Sequence, residues 1–261
     1  MPYADSDGTP IYYERHGNGP AILFVHGSGG HHAAWWQQVA ALRAEFTIVT
    51  MDLRGFGRSD SSTPEFDGQD FPGDVVAVLD AEDLTDTMLV GQSIGSVAAL
   101  GAALLRPERV TSVVLGHSLG GISHPELREM AAADRAEAVR LPVLDRLLTS
   151  GFRRERPDLT FLFQQMGTFN VARMADLRNL DTGGPSLQDI QQAGVQVAFL
   201  AGEKDAVLGV KTVTRAHELL PGSHLEIVPG APHSMYWEAP QQYNAAIARL
   251  RRTPTPPKEA V

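Results

Sequence analysis

The chain has 261 residues, 43% hydrophobic and 20% charged, with a formal net charge of -9, the make-up of a globular protein with a sizeable core. An acidic balance argues against nucleic acid as a main partner, since phosphate binding needs a basic face, and the absence of cysteine excludes disulfides, cysteine-ligated metal and a thiol nucleophile. The opening Met1-Pro2-Tyr3-Ala4-Asp5 is not a secretory apolar run, and no apolar stretch approaches the ~20 residues of a membrane span, so a cytoplasmic location without a membrane partner is expected.

In chain order, residues 11–15 and 21–25 read as strands flanking the turn 16–20. A helical pattern over 33–44 leads to a strand over 46–51, and a helix over 68–80 precedes the apolar run 87–90. Residues 96–106 are rich in Ala and Leu and end at the helix breaker Pro107. Strands follow at 110–115, 195–201 and 225–228, with a last helix over 241–251. Alternation of strands and helices implies a mostly parallel central sheet flanked by helices on both faces. Between 121 and 186 the alternation stops. That stretch is expected to be a strandless helical cap over the carboxyl ends of the strands, where open sheets bind ligands. The division is therefore a core of 1–120 and 187–252, a cap of 121–186, and a proline-rich tail, 253–261, expected to be disordered.

The pentapeptide Gly-x-Ser-x-Gly occurs twice, at Gly91-Gln92-Ser93-Ile94-Gly95 and at Gly116-His117-Ser118-Leu119-Gly120. As a nucleophile elbow it needs a buried strand before it and a long helix after it. The first copy has both. The second meets Pro125 five residues past Gly120, which leaves no room for a helix because the residue before proline is pushed out of the helical region. Ser93 is thus the expected nucleophile.

A serine hydroxyl needs a base. Of nine histidines, His233 follows a strand in Gly230-Ala231-Pro232-His233, on the same rim as Ser93; His217 and His224 are less well placed. Asp205, in Gly202-Glu203-Lys204-Asp205 after another strand, is the expected orienting acid, with Glu203 its local rival. The order Ser, Asp, His, each after a separate strand, matches one class of triad. Two oxyanion donors are expected, the backbone N–H groups of Ile94 and of Ser28 in the turn His26-Gly27-Ser28-Gly29-Gly30. His26 reads as a structural residue of that turn.

These pieces, with Asp52-Leu53-Arg54-Gly55-Phe56-Gly57-Arg58-Ser59 and Glu238-Ala239-Pro240, make the chain similar to the α/β-hydrolase family, specifically its small single-chain members with a helical cap. The resemblance runs from the early turn to the last helix. It implies a Ser-His-Asp mechanism through an acyl-enzyme, no cofactor and no metal, and a pocket between sheet and cap; residues 52–59 are implied to be a structural loop. The chain departs from many relatives in lacking a proline shortly after Asp205 and in carrying Ser96 where glycine is common. The leading expectation is a hydrolase of an apolar ester or lactone, a small-molecule substrate, with Trp35, Trp36, Phe161, Met235 and Tyr236 lining the pocket. The alternatives are carbon–carbon hydrolysis of a vinylogous diketone, using cap arginines to hold a carboxylate, and a ligand receptor on the same fold.

Overall fold

The computed structural model describes residues 2–59 and 66–253. Within them the core strands are β1 (Tyr3–Ser6), β2 (Thr9–His16), β3 (Ala21–Val25), β4 (Thr47–Met51), β6 (Thr87–Gln92), β7 (Val110–Gly116), β9 (Gln196–Gly202) and β10 (His224–Val228). They form one sheet in the order β1-β2-β4-β3-β6-β7-β9-β10. β1 and β2 join antiparallel and the other six run parallel. β5 (Phe66–Asp67) pairs with β8 (Leu177–Arg178) in a separate two-stranded sheet.

Helices cover both faces, and the strands are apolar without alternation because each face has a core to fill. In β3, Leu23 and Val25 point to one core with α2 (Phe71–Ala81) and α3 (Ile94–Leu105). Ile22 and Phe24 point to the other, with residues of α11 (Pro240–Arg252) such as Tyr243 and Ile247. α1 (Trp36–Leu42), α10 (Met235–Glu238), α8 (Leu187–Ala193) and α9 (Val210–Leu219) complete the layers.

Between β7 and α8 lie α4 (Pro125–Ala138), α5 (Val143–Leu147), α6 (Ser150–Glu155) and α7 (Pro157–Met166). This is the expected helical insertion, with one correction: it holds the short strand β8, paired with β5 and too brief to leave a periodic signal. Side chains tie it to the core. Asp134 of α4 accepts from Gly209 N–H at 2.8 Å and Thr212 Oγ1 at 2.6 Å, capping α9, whose N-cap glycine has no side chain of its own. Glu238 accepts from the backbone N–H and hydroxyl of Thr149, the N-cap of α6. The expected helix over 33–44 opens as a 3-10 turn, His32–Trp35, before α1. β1 occupies the polar opening of the chain, where the sequence carries no strand signal. The tail beyond Thr253 lies outside the described residues.

Candidate active site

Parallel pairing places the carboxyl ends of β6, β7 and β9 side by side, with Gln92 opposite Gly116 and Gly116 opposite Leu200. Ser93 leaves β6 with φ 53° and ψ -117°, and α3 begins at the next residue. A serine in this region is strained, and surrounding contacts impose it. Its N–H donates to Gly116 O at 2.8 Å, and its carbonyl accepts from Ser96 N–H at 3.0 Å. The turn is tight enough that a Cβ on Gly95 would overlap the carbonyl oxygens of Val25 and His26, and one on Gly91 would overlap the Ser96 backbone. Ser96 fits in place of glycine because its hydroxyl, fully buried, donates to Gly91 O at 3.0 Å. The second pentapeptide differs in its backbone. There the left-handed residue other than glycine is His117, φ 56°, not the serine, and the chain runs through a loop to α4.

Asp205 and His233 meet as expected. His233 Nδ1 lies 3.0 Å from both carboxylate oxygens, and both side chains are almost wholly buried. Asp205 also accepts from the N–H groups of Val207 at 2.8 Å and Leu208 at 3.1 Å, donors that a proline at either position would remove. Burial alone would raise the Asp205 carboxyl; His233, His117 and the Val207 N–H together hold it below the ordinary range. Glu203 instead accepts from Gly230 N–H near the surface. Gln92 Nε2 donates to the His233 carbonyl at 2.9 Å, which fixes the loop carrying that ring.

Ser93, His233 and Ser28 line one cavity of about 340 Å³, together with Leu144, Phe163 and Tyr236. Ser93 and Ile94 also border a second, of about 170 Å³, walled by Val97, Leu127, Leu180 and Leu208. The turn 26–30 abuts Ser93: a Cβ on Gly27 would stand 3.4 Å from the Ser93 Cβ. The Ile94 N–H is the first of α3, a position with no intrahelical acceptor and at the positive end of the helix dipole.

Of the expected pocket residues, Tyr236 lines the larger cavity. Trp35 does not. It is 1% exposed in the core, ringed by Phe24, Tyr236 and Tyr243. Met235 is likewise fully buried in that core, Trp36 packs near Trp237, and Phe161 is 63% exposed on α7. Phe163, two residues on and so on another face of the helix, occupies the place assigned to Phe161. The aromatic residues were legible as a group but not by face. His117 and Gln92, both buried beside His233, were missed as site residues; the only signal was their place inside the two pentapeptides.

His26 is structural. Its Nδ1 lies 2.8 Å from Gly27 O and its Nε2 accepts from Leu53 N–H at 3.1 Å. Among the described residues His31, His32 and Asp52 bring donor atoms within 4.8 Å of one another. The Asp52 carboxylate is already engaged there by the His32 ring at 2.8 Å and by the N–H groups of His32 and Arg58, so the cluster serves to fold the 52–59 loop. No helix among the described residues is long and apolar enough to cross a membrane.

The family profile of the α/β-hydrolase fold matches residues 20–240, and the chain belongs to that family, an α/β hydrolase. Its fold is shared with a thermophilic esterase from Thermogutta terrifontis, at a TM-score of 0.76, 20% identity and 96% of each chain covered. Est816, described as an N-acyl homoserine lactone degrading enzyme, gives a TM-score of 0.76 at 24% identity, covering 95% of this chain and 99% of that one. The enol-lactonase from Burkholderia xenovorans LB400 gives 0.74 at 22% identity, covering 95% and 98%.

Proposed function

We propose that the protein hydrolyses carboxylic esters or lactones with an apolar acyl or alcohol part, through an acyl-enzyme on Ser93. The observation that carries this is the strained Ser93, φ 53°, at the head of α3, sharing a cavity with a His233 ring held through Nδ1 by a buried carboxylate. With Nδ1–H committed to Asp205, Nε2 is left as the base. In the first half-reaction Ser93 Oγ adds to the substrate carbonyl while its proton passes to His233 Nε2. The N–H groups of Ser28 and Ile94 take the developing oxyanion. Collapse expels the alkoxide, which receives that proton, and leaves the acyl group on Ser93. Water then repeats the sequence and releases the acid. In a lactone the alkoxide and the acid belong to one molecule, and the product is a hydroxy acid. Aliphatic walls in the smaller cavity and Phe163, Leu144 and Tyr236 in the larger suit an uncharged, apolar substrate. The folds of an esterase and two lactone-cleaving enzymes are consistent with it.

Carbon–carbon hydrolysis has one observation in its favour: Arg128 and Arg135 border the smaller cavity, although Arg135 is paired with Asp181 at 3.2 Å. The test is turnover of short p-nitrophenyl esters and simple lactones. Ser93→Ala should lower kcat/KM by about 10⁴-fold or more. Retained turnover in that variant would refute the assignment; cleavage of a vinylogous diketone in preference to both would favour the carbon–carbon reaction.

A further inference from the structure

The second pentapeptide supplies no nucleophile, yet it ends β7 at a buried histidine in contact with the proposed base. His117 is 2% exposed and its ring centroid lies 5.5 Å from that of His233 at an interplanar angle of 70°. Its backbone is held at φ 56° by a hydrogen bond from its N–H to Leu200 O at 2.8 Å. Its Nδ1 lies 3.2 Å from Gln92 Oε1. A Cβ on Gly116 would stand 3.2 Å from that same oxygen, so the glycine leaves room for the contact.

The donor and acceptor roles are determined by this chain of contacts. A carbonyl can only accept, so the Gln92 atom facing His233 O at 2.9 Å must be the amide nitrogen. The atom facing His117 is then the amide oxygen, and His117 Nδ1 must carry the proton. One buried amide thus links the two histidines. Burial, opposed by the Asp205 carboxylate and the Pro232 carbonyl and aided by His233, pushes its proton affinity down to about 4. The ring is therefore neutral wherever a histidine base can work.

We propose that His117 is a positioning residue that through Gln92 and through ring contact holds His233 in line between Asp205 and Ser93. This rests on the serine-hydrolase reading for its kinetic consequence, but the hydrogen bond it governs can be observed without turnover. The spectroscopic readout is the downfield proton resonance of His233 Nδ1–H bonded to Asp205. The variants are His117→Phe, which keeps ring volume and loses the donor, and His117→Asn, which keeps an N–H donor and tolerates a positive φ. In His117→Phe the resonance should move upfield or vanish, and kcat should fall about tenfold with KM changed less than twofold. His117→Asn should recover most of both. An unmoved resonance in folded His117→Phe, or equal damage in the two variants, would overturn the proposal. Should His117→Phe fail to fold, Gln92→Met removes the same link, and an unmoved resonance there is equally decisive. If the unsubstituted protein turns over no ester, the hydrolase reading falls, while the resonance still tests the role of His117.

Discussion

Acidification should destabilise the fold through two buried histidines. His26 and His117 are 1% and 2% exposed, and each has a fixed neutral form. Protonating His26 Nε2 would break the bond from Leu53 N–H, and protonating His117 would place a charge in a ring buried from water. Burial pushes both down from 6.5 to about 4, whereas in the unfolded chain they protonate freely. The unfolded state then binds more protons between these limits, so stability rises with pH there. The contribution is complete above pH 6.5 and is lost as pH falls toward 4. At pH 4.5 the loss is about 2.5 kcal/mol per ring and about 5 kcal/mol for the pair, a large share of a typical ~5–15 kcal/mol. His31, lowered chiefly by burial, adds in the same direction. Asp52 and Asp205 are held below the ordinary carboxylate range by their histidine partners, against burial, so they add losses of that sign only below about pH 4. Urea unfolding from pH 7.5 to 4.5 should give a slope of about 1.7 protons, about 2.3 kcal/mol per pH unit between pH 6 and 4.5. His117→Asn should reduce it by about one proton. A flat profile, or an unchanged slope in that variant, would refute this reasoning.

Three further outcomes follow from the packing. Gly95→Ala drives a methyl into two backbone carbonyl oxygens of the neighbouring strand end. It should lower the thermal midpoint by more than about 5 °C, and a midpoint unchanged within 2 °C or so would show the turn to be looser than drawn. Asp134→Ala removes the cap of α9 and should cost about 0.5–2 kcal/mol in chemical denaturation. Phe163→Ala should raise KM for apolar esters several-fold while Phe161→Ala, on an exposed face, leaves it within experimental error; equal effects would contradict the cavity assignment.

The core strands could be read from the sequence because parallel strands buried on both faces leave uninterrupted apolar runs, as in 21–25 and 87–90. β8 could not, since two residues carry no period and its existence depends on Phe66 and Asp67 more than 100 positions away. The helical stretch after Ser93 and the proline that follows the second copy set the two pentapeptides apart in the sequence, yet they could not show that the second copy places a left-handed residue at His117. Asp205 was expected from order along the chain; its carboxylate is anchored by Val207 and Leu208 N–H groups, which a backbone turn supplies whatever the side chains. Pocket aromatics were the weakest part. Trp35 and Met235 went to the core and Phe161 to solvent, because composition gives hydrophobicity while only the helix phase gives direction.

The most direct measurement is to react the protein with a fluorophosphonate and locate the adduct by mass spectrometry of its peptides. One phosphonyl group on Ser93 is expected, lost in Ser93→Ala, kept in Ser118→Ala and slowed at least tenfold in Asp205→Asn. An adduct on Ser118, or none on any serine at a concentration that saturates a control esterase, would contradict the central claim.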